Sequence, residues 1–330
     1  MNEEARFLFY AGDGTRIATR NLQTPSYREV NLPDEAQDYL AEKGLRDAVN
    51  VALLLGQPLL VTGEPGTGKT QLARSIAHEL NLHSPLVFNT KTTSTAKDLF
   101  YRYDSLGHFH DTQFQTEGLS IEKYITYEAL GLAILLSLTP EEAGSCLPRE
   151  LQTMGPVRSV VLIDEIDKAP RDMPNDVLNE IENMSFTVRE TGRTFAANPD
   201  YRPIVILTSN SEKNLPEPFL RRCIFYHIAF PDKDRLKEIV GRRLRLDSGF
   251  TDQMIENALR HFIEIRKLGK LRKKPATAEL LAWLRILEKK GIDVNDKSRA
   301  EELSFTYSTL VKSKDDLELL RNAPSDRQHE

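Results

Sequence analysis

The sequence has few cysteines, no long apolar run and no excess of positive charge, and each shortage excludes a class of protein. Only Cys146 and Cys223 occur, far apart and without a Cys-x-x-Cys pair, so neither a disulfide framework nor a zinc site is indicated. The longest apolar run, residues 129–138, is too short to span a bilayer. Residues 1–4 lack the basic and apolar regions of a signal peptide. We therefore expect a cytoplasmic chain without a membrane segment.

The net charge of −5 argues against nucleic-acid binding through overall charge, and leaves only a local basic groove for that role. The rest of the composition is ordinary for a globular protein, with 40% hydrophobic and 28% charged residues. A length of 330 residues predicts two or three domains.

One stretch organises the chain: Gly-Glu-Pro-Gly-Thr-Gly-Lys-Thr at residues 63–70 fits the phosphate-loop pattern GxxxxGK[ST]. An apolar run at 58–61 predicts a buried strand before it, and apolar residues every fourth position predict a helix over 69–80. Glycines there allow backbone N–H groups to approach phosphate oxygens, while Lys69 reaches the β- and γ-phosphates and Thr70 binds Mg²⁺. The predicted nucleotide-binding residues are Gly63, Glu64, Pro65, Gly66, Thr67, Gly68, Lys69 and Thr70.

Polar residues follow two further buried strands, predicted at 160–165 and 204–210. Open α/β sheets bind ligands at the carboxyl ends of their strands, so these residues should meet the phosphate loop. We expect Asp164 to hold Mg²⁺ and Glu165 to polarise a water for attack on the γ-phosphate. Asn210 would orient the same water. Together these residues predict an ATP and Mg²⁺ site.

The pattern also predicts a domain organisation. Residues 1–30 form an N-terminal extension with a small hairpin, and residues 31–230 form an α/β nucleotide-binding domain. Within it, residues 101–122 show no sustained period and indicate an insertion, and residues 121–138 predict one apolar helix. The sequence Phe-Pro-Asp at 230–232 marks a boundary, after which residues 231–330 predict a helical domain with a polar tail.

Four motifs in this order resemble an AAA+ ATPase of the MoxR type, in the clade with an insert in its second helix. They are GEPGTGKT at 63–70, LIDEIDKA at 162–169, LTSN at 207–210 and LPEPFLRRC at 215–223. The resemblance implies a P-loop NTPase core, with a five-stranded parallel sheet flanked by helices, followed by an all-helical lid. Asp164 and Glu165 would be the Walker B pair and Asn210 the first sensor. Residues 101–122 would be the helix-2 insert, and 185–196 a hairpin directed toward a pore or client.

The resemblance also assigns Arg222 as an arginine finger. A helix at 216–222 follows the sensor strand and lies away from its own phosphates, so Arg222 can stabilise γ-phosphate charge only on a neighbouring subunit. Such a head-to-tail contact closes a ring, by resemblance a homohexamer. One feature departs from the family: the usual second-sensor arginine is replaced by Lys-Lys-Pro-Ala-Thr-Ala-Glu at 273–279. Lys274 and Arg272 are candidate substitutes beside the simpler interpretation of a basic solvated turn.

These features favour Mg²⁺-dependent ATP hydrolysis in a ring that remodels or matures a protein partner; by resemblance, that partner often carries a von Willebrand factor A domain. One alternative is a nucleic-acid motor or loader, supported by the basic run 266–274 but opposed by the net charge, so we do not expect a nucleic-acid partner. Another is a nucleotide-gated assembly switch, for example in a bacterial conflict system, opposed by Glu165. His108 and His110 lack a nearby third ligand, and we interpret them as surface loop histidines.

Overall fold

The structure is a computed structural model that describes residues 36–114, 120–148, 150–152, 155–211, 215–244 and 250–322. The hairpin predicted within residues 1–30 lies outside the described residues, as does the polar tail from residue 323. The chain divides into two compact units. Residues 39–230 belong to the first unit, and residues 231–322 with 36–38 belong to the second.

A parallel sheet organises the first unit. The strands of the described residues are β1 (Leu59–Gly63), β2 (Leu86–Asn89), β3 (Tyr101–Tyr103), β4 (Ile125–Tyr127), β5 (Val160–Asp164), β6 (Ser185–Thr187), β7 (Thr194–Ala196), β8 (Ile204–Ser209) and β9 (Ile224–Ile228). Five of them form one sheet in the order β2-β5-β8-β1-β9, and every pairing in it is parallel. This sheet, with its flanking helices, confirms the predicted fold class.

The position of each strand explains its sequence pattern. In β1 all five residues are buried, because this strand lies between β8 and β9 and has helices on both faces. Strands β5 and β8 are buried in the same way except at one end. The edge strand β9 instead alternates, and Phe225 on it is 47% exposed. The carboxyl ends of β1, β5 and β8 therefore lie side by side at one edge of the sheet.

Helices cover both faces of the sheet. In the described part of the first unit, the helices are α1 (Lys43–Leu55), α2 (Lys69–Glu79), α3 (Ser105–Phe114), α4 (Ala129–Leu136), α5 (Pro140–Ala143), α6 (Met173–Asn183) and α7 (Glu217–Leu220). Successive strand residues point to opposite faces, so Leu60 packs in a cluster with α4 and α6, whereas Val61 packs in a second cluster with α1 and α2. The sheet thus separates two hydrophobic cores.

Two small antiparallel ribbons, β3–β4 and β6–β7, lie outside the main sheet. The β6–β7 ribbon confirms the predicted hairpin. The β3–β4 ribbon corrects the interpretation of residues 101–138: residues 121–124 form a 3-10 turn, residues 125–127 pair with 101–103, and the helix begins only at Ala129. Tyr101 is only 2% exposed and belongs to the core. Three-residue strands are too short to show a period, and their pairing is not local.

Aromatic rings join these two ribbons. Phe186 of the hairpin stacks on Phe100 with ring centroids 5.0 Å apart, and its ring lies 6.2 Å from that of Tyr127. Arg193 Nη1 donates to Glu122 Oε1 at 3.2 Å. The insert and the hairpin are therefore packed together rather than separate projections.

The described part of the second unit is helical. Its helices are α8 (Lys233–Arg243), α9 (Asp252–Lys267), α10 (Thr277–Lys290), α11 (Ala300–Thr306) and α12 (Lys314–Arg321). Trp283 is fully buried and donates from Nε1 to Thr306 Oγ1 at 2.7 Å. The ring of His261 stacks on Trp283 and on Tyr307. Across the described residues, no helix combines the length and apolar character that crossing a bilayer requires.

Candidate active site

Residues 63–68 carry the chain from β1 into α2. Gly63 has φ 149°, and a Cβ there would lie 2.6 Å from the carbonyl oxygen of Ile228. Gly68 is the N-cap of α2 with φ 90°, and a Cβ there would lie 3.0 Å from the Tyr39 ring. Both positions therefore favour a residue without a side chain. The loop brings the partly positive N-terminal end of α2 to the carboxyl edge of the sheet. The other predicted loop positions are exposed or partly exposed: Glu64, Pro65, Gly66 and Thr67.

Lys69 lies at the start of α2 and is only 7% exposed. Its Nζ donates to the carbonyl oxygens of Gly63 at 2.8 Å and Glu64 at 3.0 Å, and to Asn210 Oδ1 at 2.9 Å. An ammonium has three donors, so each is used by an oxygen of the protein. Burial lowers the pKa of Lys69, while the negative charge of Asp164 opposes that shift.

Asp164 ends β5 and faces Thr70 on α2. Thr70 Oγ1 lies 3.2 Å from both carboxylate oxygens of Asp164. Thr208, fully buried on the neighbouring strand β8, donates its hydroxyl to Asp164 Oδ1. The same Thr208 oxygen accepts from the backbone N–H of Glu165 at 2.9 Å. The hydroxyl of Thr208 thus holds both acidic residues in place.

Glu165 has a left-handed backbone, with φ 55° and ψ 50°. Non-glycine residues seldom adopt this conformation, and it is often found at functional sites. Its Oε1 accepts from Asn210 Nδ2 at 3.2 Å, and its Oε2 forms an ion pair with Lys168. The hydrogen bond from Lys168, supported by that from Asn210, lowers the pKa of Glu165, so the carboxylate is charged near neutral pH.

Asn210 connects the phosphate loop to Glu165. Its side chain accepts from Lys69 and donates to Glu165, and its backbone N–H donates to Asp167 Oδ1 at 3.2 Å. The structure therefore brings Lys69, Asn210 and Glu165 into one hydrogen-bonded chain at the carboxyl edge of the sheet. These three residues come from three separate stretches of sequence, as the strand-end argument predicts.

The donor set at Asp164 fits Mg²⁺. Hydroxyl and carboxylate oxygens of the kind that Thr70 and Asp164 bring together are the ligands that this ion prefers. Within the described ranges, no group of three or more His, Cys, Asp and Glu side chains could hold a metal. Mg²⁺ is commonly held by one or two side chains together with substrate phosphates, so the site fits a metal that arrives with a nucleotide.

Arg222 lies outside this hydrogen-bonded chain, after α7. Its Nη1 donates to Asn179 Oδ1 at 3.1 Å, and its Nε lies 3.7 Å from Glu182 Oε1; both partners are on α6. The neighbouring Arg221 instead pairs with Glu217 in its own helix. The two arginines therefore have different surroundings despite being adjacent in sequence.

The structure also shows the contacts of the two candidate second-sensor residues, Arg272 and Lys274. In the second unit, the backbone N–H of Arg272 donates to buried Asp316 at 3.0 Å, and its guanidinium lies 2.5 Å from Asp315. Arg272 is thus already paired, while Lys274 is exposed.

In the insert, His108 bonds to Tyr103 and stacks on Tyr124 with centroids 4.7 Å apart. His108 and His110 lie in helix α3 and not in the predicted loop, and His108 packs against aromatic neighbours.

Sequence reasoning missed three residues of this site: Thr208, Asp167 and Lys168. All three lie inside the motifs LTSN and LIDEIDKA, so the motifs included them without giving them a role. A threonine in an apolar strand is unremarkable on propensity alone, because threonine favours strands. Only its position beside Asp164 distinguishes Thr208.

Comparison with known proteins gives one family match and a distant structural likeness. The family model described as "AAA domain (dynein-related subfamily)" matches residues 58–223, about half of the chain. Among solved structures, one match is the "Crystal structure of FIGL-1 AAA domain in complex with ADP", 16% identical, which covers 85% of this chain and 86% of that chain with a TM-score of 0.43. No curated protein matches the chain.

Proposed function

Because this chain belongs to the AAA domain family, in its dynein-related subfamily, we propose that it is a MoxR-type ATPase. In this proposal it hydrolyses ATP to ADP and phosphate with Mg²⁺, at the interfaces of a ring, and the reaction remodels a protein partner. The observation that carries the proposal is the hydrogen-bonded chain of Lys69, Asn210 and Glu165 at the carboxyl edge of the sheet.

Each residue of the site has a role in the proposed reaction. Lys69 exchanges an oxygen of the protein for a phosphate oxygen when the nucleotide binds. Glu165 accepts a hydrogen bond from the attacking water, and Asn210 orients that water. Thr70 and Asp164 would hold Mg²⁺, which neutralises charge on the phosphates when bound. The lowered pKa of Glu165 keeps its carboxylate able to accept that hydrogen bond near neutral pH.

In the proposed ring, each subunit supplies Arg222 to the nucleotide site of its neighbour. The contacts of Arg222 are with α6 rather than with the residues around Lys69, which suits a group that acts on a neighbouring subunit. Arginine fingers are worth about 10³- to 10⁵-fold in rate. A head-to-tail contact that repeats around an axis gives a closed ring, and we propose a homohexamer.

The proposed partner is a protein, and one with a von Willebrand factor A domain is the leading candidate. The insert and the hairpin support a protein-binding role because they form one aromatic-packed body on the first unit. The exposed side chains of Leu106 and Phe109 lie on this insert, 81% and 64% exposed. Two free, buried cysteines suit the reducing cytoplasm that we propose as the setting.

The first test measures phosphate release by the full-length chain with ATP and Mg²⁺. We expect turnover in the wild type and a loss of about 10²- to 10⁴-fold in Glu165→Gln, with nucleotide binding retained. Lys69→Ala should lose nucleotide binding itself. Wild-type turnover in Glu165→Gln, or unchanged affinity in Lys69→Ala, would contradict the proposal.

The second test compares Arg222→Ala with Arg221→Ala as the matched control. Arg222→Ala should bind ATP but lose turnover, whereas Arg221→Ala should keep both. Mixing Arg222→Ala with Glu165→Gln should restore part of the activity. In a mixed ring, the intact Arg222 of a Glu165→Gln subunit can act at the intact Glu165 of an Arg222→Ala neighbour. Light scattering with ATP reports the mass of the ring. An active monomer would refute the interface mechanism.

A further inference from the structure

Both carboxylate oxygens of Glu165 are occupied by donors of the same chain. Oε1 accepts from Asn210 and Oε2 pairs with Lys168. Each carboxylate oxygen can accept a further donor, so a water can also bind there, but the two donors fix the direction in which the Glu165 carboxylate points. The two donors differ in how they are connected to the phosphate loop.

Asn210 is connected to the nucleotide site through Lys69. The three donors of Lys69 are all used, one of them by Asn210. A phosphate oxygen can be bonded only when Lys69 leaves at least one of these acceptors. Nucleotide binding at Lys69 therefore competes with a set of three contacts, one of which holds the Asn210 side chain that also bonds to Glu165.

Lys168 has no such connection. It is the last residue of a 3-10 turn, Ile166–Lys168, in which Ile166 is fully buried and the N–H of Lys168 donates to the Glu165 carbonyl at 2.9 Å. This turn returns the side chain of Lys168 to the Glu165 carboxylate. The ammonium of Lys168 bonds to Glu165 and not to Lys69 or Asn210, so binding of phosphate to Lys69 does not by itself displace it.

We propose that Lys168 is a positioning residue that restrains Glu165, and so keeps the basal rate of ATP hydrolysis low after nucleotide has bound. This inference rests on the proposed ATPase function. The side chains of Lys168 and Glu165 are 52% and 38% exposed. A pair this exposed contributes little to stability, and it can be opened by a modest rearrangement at a subunit or partner contact.

The test measures kcat, KM and nucleotide affinity in the full-length chain with Lys168→Met. The matched control is Lys314→Met, because Lys314 is also exposed and pairs with a carboxylate, Glu318, but in the second unit. We expect Lys168→Met to raise basal kcat about two- to five-fold, the factor that corresponds to the coupling of an exposed ion pair. KM, and the affinity for a fluorescent ATP analogue, should stay at their wild-type values.

Two further variants separate restraint from a structural effect. Lys168→Arg keeps the ion pair and should return kcat to the wild-type value. Adding Lys168→Met to Glu165→Gln should give no increase, because the group to be released is gone. A kcat in Lys168→Met equal to or below the wild type, or an equal rise in Lys314→Met, would overturn the proposal.

A different result would contradict the proposed ATPase function itself. In that case neither the wild type nor Lys168→Met would release phosphate, although both bind the fluorescent analogue. Such a result would remove the reaction that Lys168 is proposed to restrain. Turnover in the wild type with no effect of Lys168→Met would overturn the restraint alone and leave the ATPase function in place.

Discussion

Thr208→Val should show that one buried hydroxyl supports both the stability of the sheet and the acidic pair. Valine keeps the shape of threonine but removes the donor to Asp164 and the acceptor for the N–H of Glu165. A hydrogen bond to a charged group contributes about 1.5–3 kcal/mol, and an N–H left unsatisfied costs about 1–3 kcal/mol. The N–H is only partly buried, so we expect a total loss of about 2–4 kcal/mol.

Thr62→Val is the matched control. Thr62 is also fully buried in the sheet, but its hydroxyl bonds to an imidazole nitrogen, His227 Nδ1, at 2.9 Å, and not to a carboxylate. Its replacement should cost about 1 kcal/mol. Urea unfolding followed by far-UV circular dichroism measures the difference, and for Thr208→Val we expect the midpoint to fall by about 1–2 M.

The single tryptophan, Trp283, lies in the second unit. Its fluorescence therefore reports unfolding of that unit, whereas circular dichroism reports both units. In the ATPase assay, kcat should fall with Thr208→Val, because Asp164 and Glu165 both lose a contact that orients them. Equal midpoints for the two threonine variants, together with an unchanged kcat, would refute this reasoning.

Three other substitutions test pH dependence and packing. Burial lowers the pKa of His261 below its usual value of about 6.5, so its contribution to stability is complete above pH 6.5 and declines as the pH falls through the lowered value. The urea midpoint reported by Trp283 fluorescence should therefore fall from pH 7.5 to 5.5, and His261→Phe should reduce that slope; an equal slope in the variant would contradict the assignment. Gly131→Ala would place a Cβ 2.0 Å from the carbonyl oxygen of Phe100 and should destabilise by about 1–3 kcal/mol. Gly241→Ala, in α8 with open space around it, should be neutral or stabilising by up to about 1 kcal/mol; a similar cost at both glycines would show that the Phe100 contact is unimportant.

The phosphate loop and the strand ends were predictable because their signals are local. A buried strand, a glycine loop and a helix follow one another within residues 58–80, and each has a pattern of its own. The buried strands at 160–164 and 204–209 were predicted from their apolar runs, and the five-stranded parallel sheet from the family resemblance. The roles predicted for Asp164, Glu165, Asn210 and Arg222 stay predictions, since contacts alone do not test them.

The main error was the single helix predicted over residues 121–138. Three-residue strands such as β3 and β4 carry no usable period, and they form because they pair with each other and pack against Phe186 of the hairpin. The predicted helix over 121–138 extended an apolar pattern through residues that are in fact a turn and a strand. In these residues, contacts with residues far apart in sequence determined the structure, and local secondary-structure propensity did not.

Residue types and their spacing were thus enough to specify a nucleotide-binding α/β unit and a helical second unit, because hydrophobic period and glycine placement act over short distances. The hydrogen bonds of Thr208, the two donors on Glu165 and the different partners of Arg221 and Arg222 were decided only by folding. These contacts join side chains from separate strands and helices, and their geometry exists only once the sheet has brought the strand ends together.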